Sequence, residues 1–161
     1  MTRYAAPALL AVFLSACSSG GSSPAVASNE AVPAAGSADA CIAMANAKHT
    51  PKANADSITV RHILVKHVDS KNYTQGLKRT RGEACLRAAE ALEKLKGGAD
   101  FTKLVGEYSD SPGPSNDGSL GSVQKASLDP AFAAAAFELD PGQMSNVVET
   151  PFGFHVIVRT E

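Results

Sequence analysis

The stretch Gly153–Glu161, GFHVIVRTE, reads as a strand, and it sets His155 in the middle of an otherwise apolar run. A second β-rich stretch, Thr59–His67, TVRHILVKH, places His62 in the same surroundings. A histidine buried in a sheet must be hydrogen-bonded or it costs free energy. Two such residues in two strands are either separately satisfied core groups or one shared site, and the intervening sequence has to decide between them.

Working inward from these strands, Thr80-Arg81-Gly82-Glu83 is a capping-box pattern. It opens a helix whose apolar face carries Cys85, Ala88, Leu92 and Leu95. Lys94 and Lys96 suit the negative end of that helix, and Gly97-Gly98 ends it. Asp100 caps a second helix with Phe101, Leu104, Val105 and Tyr108 at helical spacing. The run SDSPGPSNDGS is too rich in Pro, Gly and Ser to be regular. LGSV reads as a short strand, and Asp129-Pro130 then supplies an N-cap and a first-turn proline for AFAAAAFEL. That helix stops at Asp140-Pro141-Gly142, a type II turn pattern. NVVET and GFHVIVRT follow as two strands. The order strand, two or three helices, strand, helix, two strands predicts an α+β domain over 57–161 with an antiparallel-rich sheet.

Working outward, the chain of 161 residues has a formal net charge of −1, which gives no electrostatic footing for nucleic-acid binding. The opening MTRYAAPALLAVFLSAC has a basic Arg3 and an apolar run of about ten residues, too short to span a bilayer and suited to a secretion signal over 1–16. Leu14-Ser15-Ala16-Cys17 resembles a bacterial lipobox, which implies an acylated Cys17 as the mature N-terminus; an ordinary signal peptide with a chance cysteine is the alternative. Ser18 after the cysteine fits outer-membrane sorting in a Gram-negative envelope.

From Ser18 to about Ala38 the composition offers nothing to form a core, so residues 17–56 read as a tether with a short helical patch at 39–48 that docks or frays. Flexible to residue 56, it reaches on the order of 35 Å. With Cys17 assigned to lipid, Cys41 and Cys85 remain as an even pair in an oxidising compartment, either a disulfide or, for Cys85, a small buried residue on a helix face.

The segments RHILVKH, GADFTKLVGEYSDSPG, GSLGSV, DPAFAAAAFELDPGQMS and TPFGFHVIVRTE together resemble the parvulin family of peptidyl-prolyl cis/trans isomerases, in order and across nearly all of 57–161. The resemblance implies a four-stranded antiparallel-rich sheet flanked by helices in the FKBP-like superfold, in the order β-α3-β-α-β2. It also implies that His62 and His155 lie side by side on the floor of one active site, joined by Thr150. The proline ring would sit among Leu120, Leu128 and Phe132.

The loop position that faces the substrate amide in this family, usually Cys or Asp, is Ser111 here. A serine hydroxyl brings neither charge nor acidity. Adjacent Asp110 is a candidate to compensate. In the phosphorylation-directed members a basic loop binds phosphate ahead of proline. Lys66 and Lys71 match two of its positions, but Asn72 stands where an arginine is expected, and an amide does not replace a guanidinium fork. An ordinary solvated face, or a mild preference for acidic residues before proline, is the competing reading.

The implied chemistry is rotation about an X-Pro amide, without cofactor and without metal. Uncatalysed isomerisation takes tens to hundreds of seconds, so about ten turnovers per second requires roughly a thousandfold acceleration, or about 4 kcal/mol. A dry apolar pocket with one well-placed hydrogen bond supplies that much. The expected partners are unfolded or partly folded proline-containing polypeptides, with a lipid anchor to the membrane, no nucleic acid, and a monomeric state. The competing class is a proline-peptide binding module or holdase that lost useful catalysis through Ser111; a third reading has the basic face dock on an anionic envelope component.

Overall fold

A computed structural model describes residues 36–161 other than 112 and 114. The signal peptide expected over 1–16, Cys17 and the first part of the tether lie outside the described residues. Four strands form one antiparallel sheet: β1 (Ser57–Val65), β2 (Ser119–Gln124), β3 (Val148–Thr150) and β4 (Gly153–Arg159), in the spatial order β2-β1-β4-β3. Four α-helices accompany it: α1 (Ala38–Ala45), α2 (Arg81–Lys96), α3 (Phe101–Tyr108) and α4 (Pro130–Glu138). Among the described residues between β1 and β2 there are thus two α-helices rather than three. Residues 66–80, where a third would have to start, are turns around Asn72 and Gly76, both with positive φ.

Strand periodicity divides the core in two. Ile63 and Val65 of β1 and Phe154 and Val156 of β4 face α1, α2 and α3 in one apolar cluster. Ile58 and Val60 of β1 and Ile157 of β4 face α4 in the other, against Phe132, Ala136 and Phe137. His62 and His155 follow the second parity, so the α4 side of the sheet changes from hydrocarbon to imidazole along its length. Each large apolar side chain in these clusters contributes about 1.5–3 kcal/mol by its burial.

The helix ends are where the caps put them. Thr80 accepts from Glu83 N while Glu83 returns a bond to Thr80 N; Asp100 accepts from Lys103 N, and Asp129 from Ala131 N ahead of Pro130.

The tether expected to run flexibly to residue 56 is folded over its described part. Cys41 and Cys85 form a disulfide that ties α1 to α2, and Cys41 and Ala45 are buried in the core. The helices approach so closely that a Cβ at Gly82 would stand 2.8 Å from Ala38 Cβ. Residues 46–56 then run as an extended strap across α4, where Lys52 N and Ala53 N both donate to Phe137 O at 3.0 Å. Small and polar residues give this strap no apolar signature, and it is held in part through backbone hydrogen bonds that composition does not reveal.

Candidate active site

His62 pairs with Ile157 and Leu64 with His155 across β1 and β4, which makes the two histidines diagonal neighbours on one face. Their rings stack at 27° with Nδ1 facing Nδ1 at 3.2 Å. The far nitrogen of His155, Nε2, meets Thr150 Oγ1 at 2.8 Å, and Thr150 Oγ1 accepts from Phe152 N at 3.1 Å. Phe132 from α4 turns its ring edge-on to both imidazoles, with centroids 5.9 and 5.1 Å away.

Both histidines are buried, and burial sets their charge state. Desolvation pushes His62 down to about 4, with the Ser111 backbone pulling weakly the other way. His155 is pushed well below the usual imidazole range by burial first and by His62 second. A neutral pair with facing Nδ1 atoms holds one proton between them. With His155 Nδ1 donating, its Nε2 accepts from the Thr150 hydroxyl and His62 Nε2 carries the remaining hydrogen. The opposite arrangement leaves His62 Nε2 as a bare buried acceptor. That atom has no partner of hydrogen-bond geometry among the described residues, so each arrangement leaves one buried ring nitrogen of His62 unsatisfied.

Over these groups lies a cleft of about 250 Å³ lined by His62, Leu64, Leu120, Leu128, Phe132 and Phe152, with Ser127, Asp129, Thr150 and His155 completing it. Leu120 reaches it through a β-bulge: Val60 pairs with Gly121 and Arg61 with Ser119, leaving Leu120 as the extra residue whose side chain is re-aimed. Two glycines permit the close backbone approaches at the rim. A side chain at Gly118 would strike the His62 carbonyl, and one at Gly153 the Val65 carbonyl. The cleft fits a small apolar ring over neutral hydrogen-bonding groups. Such a lining can keep water from an amide bound over it.

Six of the residues singled out from the sequence, His62, Leu120, Leu128, Phe132, Thr150 and His155, meet in this cleft. Ser111 is not among the residues that line it; its backbone partly offsets the effect of burial on His62. Leu64 and Phe152 were not singled out. Leu64 follows His62 by two in a strand and so shares its face, a signal the alternation carried; Phe152 is set by the hairpin loop between β3 and β4.

Asp110 does not face the imidazoles. Its carboxylate accepts from Lys66 N and from Arg79, each at 2.7 Å, and its own N–H donates to Leu64 O. It rivets the Ser111 loop to the end of β1. The basic stretch is largely engaged as well: Arg61 lies over Phe101 and donates to the Asp117 carbonyl, Arg79 serves Asp110, and Arg81 pairs with Glu149. Lys66 Nζ donates to Asn72 O, which leaves Lys71 and Lys78 as the exposed lysines of that loop without such a contact.

The sequence profile described as the PPIC-type PPIASE domain matches residues 43–161. The chain is 39% identical over 107 residues to the foldase protein PrsA of Bacillus subtilis, covering 62% of this chain and 37% of that one. It is 37% identical over 108 residues to the peptidyl-prolyl cis-trans isomerase pin4 of Neurospora crassa, covering 65% and 69%. Among solved structures it resembles the peptidyl-prolyl isomerase ESS1 from Candida albicans, with a TM-score of 0.61 at 31% identity over 68% of this chain and 65% of the other. The chain therefore spans little more than a third of the Bacillus foldase and about two thirds of the fungal enzymes.

Proposed function

The chain belongs to the PPIC-type peptidyl-prolyl isomerase family, and on that premise we propose that it accelerates cis/trans isomerisation of X-Pro bonds in unfolded or partly folded proteins of a bacterial cell envelope. The observation that carries this reading is the cleft itself, in which leucine and phenylalanine side chains close over a neutral His62–His155–Thr150 network. A proline ring seated there leaves its amide in a low-dielectric setting, where the twisted transition state, with less amide resonance and charge separation, is favoured over the planar ground states. Leu120, Leu128 and Phe132 take the ring, and the imidazole pair with Thr150 holds the floor in shape. Ser111, on the loop beside the cleft, acts through its backbone, whose field opposes the effect of burial on His62.

The decisive experiment measures isomerisation of an Xaa-Pro peptide panel, including Ala-Pro, Glu-Pro and phosphorylated Ser-Pro, with Phe132→Ala as the pocket control. Turnover that depends on the pocket supports the proposal; a folded chain that binds these peptides without accelerating exchange supports the binding-module reading instead. With Arg61, Arg79 and Arg81 engaged inside the domain, phosphorylated peptides should gain little over Glu-Pro.

The envelope setting rests on the amino-terminal sequence. Residues 1–16 serve as a signal peptide in this proposal, Cys17 carries the acyl chains, and the Ser/Gly/Ala/Pro-rich run that follows is the spacer to a monomeric domain held at the outer membrane, facing the periplasm. Cys17→Ser should move the protein from the membrane fraction to the soluble one and abolish palmitate incorporation.

A further inference from the structure

The strap at 46–56 touches three elements, and each of them carries a residue of the proline cleft. Asn46 Nδ2 donates to Glu149 at 2.6 Å, one residue before Thr150 on β3. Lys52 N and Ala53 N donate to Phe137 O, and His49 Nδ1 meets Glu138 Oε2 at 2.7 Å; both acceptors lie at the C-terminal end of α4, the helix of Phe132. Asp56 O accepts from Lys125 N at 2.9 Å, at the start of the short 3₁₀ turn that leads to Ser127 and Leu128. Behind the cleft, one segment thus joins the supports of Thr150, Phe132 and Leu128.

These contacts are not incidental to a packed surface. Between the strap and the first half of α4 lies a cavity of about 430 Å³, lined by Lys48, His49, Pro130, Ala131 and Ala134 among others. The strap therefore holds the outer side of α4 mainly at its C-terminal end, by polar anchors and the small Ala53 side chain, rather than by hydrocarbon along its length. The Phe137 carbonyl is one of the orphan acceptors that a helix leaves at its C-terminus, and here the strap satisfies it. His49 is the anchor most exactingly placed: its side chain is 14% exposed, and its Nε2 has no partner while Nδ1 is committed to Glu138. Upstream, α1 and the Cys41–Cys85 disulfide fix where the strap begins.

We infer that residues 38–56 are a brace for the α4 wall of the proline cleft, with His49 a positioning residue that acts through Glu138 and Phe132 and never touches substrate. The inference rests on the isomerase reading of the cleft. A wall that shifts changes how well the proline ring is gripped before the amide twists. The effect therefore falls on ground-state affinity rather than on the rotation step, a raised KM with kcat maintained.

The test uses the intact chain and NMR titration of an Ala-Pro peptide, which gives Kd and the bound-state exchange rate separately. His49→Ala is expected to weaken binding by on the order of tenfold, about what one hydrogen bond to a charged group is worth, with bound exchange within about twofold of wild type. His49→Asn, whose amide nitrogen occupies the place of Nδ1, is expected to restore affinity; Glu138→Ala should match His49→Ala. Wild-type affinity in a His49→Ala protein, whether or not its thermal stability falls, overturns the brace. So does a loss that His49→Asn does not recover. A wild-type chain that neither binds nor isomerises the peptide overturns the isomerase reading, and the brace with it.

Discussion

The Nδ1 atoms of His62 and His155 face each other at 3.2 Å across neighbouring strands, so adding a second proton to the pair sets two N–H donors head to head. Burial holds His62 near 4 and His155 well below the usual range. The unfolded chain, with histidines near 6.5, therefore binds more protons than the folded one between these limits. Stability is complete above about pH 6.5 and is lost as pH falls toward 4. At about 1.4 kcal/mol per pKa unit, His62 alone accounts for about 3 kcal/mol. Urea midpoints measured from pH 7.5 to 4.5 should decline, with the ring carbon shifts of both histidines staying neutral down to about pH 5.5, well above the value of about 4 for His62. A midpoint that does not move in this window would refute the assignment.

Thr150→Val keeps the shape of a side chain whose hydroxyl serves both His155 Nε2 and Phe152 N. It strands a fully buried ring nitrogen, which should cost about 1–3 kcal/mol in denaturant unfolding. Isomerase activity should fall as well, because the loop carrying Phe152 loses its tie. A neutral result in both assays would remove Thr150 from the network.

Ser111→Ala removes the hydroxyl but leaves the backbone that His62 faces. The turnover rate is expected to stay within about threefold of wild type, less than one ordinary hydrogen bond is worth. A hundredfold loss would assign the hydroxyl a direct part in the chemistry.

Reducing the Cys41–Cys85 bond, which closes a loop across a sequence separation of 44, should lower stability by about 3–4 kcal/mol on the chain-entropy account. Denaturant melts with and without reductant give the difference directly. A Cys41→Ala/Cys85→Ala chain, with both sites still apolar, should match the reduced protein.

Much of this architecture was legible because local chemistry and global fold agree. The Thr80–Glu83 box, Asp100 and Asp129-Pro130 mark helix starts that the structure realises, and the alternation around His62 and His155 puts both on one face. The strap was not legible: its residues are small or polar, and its attachment at Phe137 O is a backbone event. Nor did the sequence reveal that the basic stretch is largely spent internally, since charge counting does not show whether an arginine has a carboxylate or a carbonyl beside it. The bulge at Leu120 escaped as well, because Gly121 signals a departure from regular pairing without saying which neighbour is displaced.

The sheet order β2-β1-β4-β3 places β4 inside the sheet, although it is the last strand along the described chain. During synthesis β1 lacks its longer-paired neighbour until residue 159 has emerged, and residues 60–65 must wait for 154–159. Closure of the sheet is thus a late, non-local event, of the kind that folds slowly. In that interval the strand bearing His62 has an open edge, the feature by which unfinished sheets recruit the wrong partners. By the arrangement of its own strands, a chain that would speed the folding of others is itself a late folder.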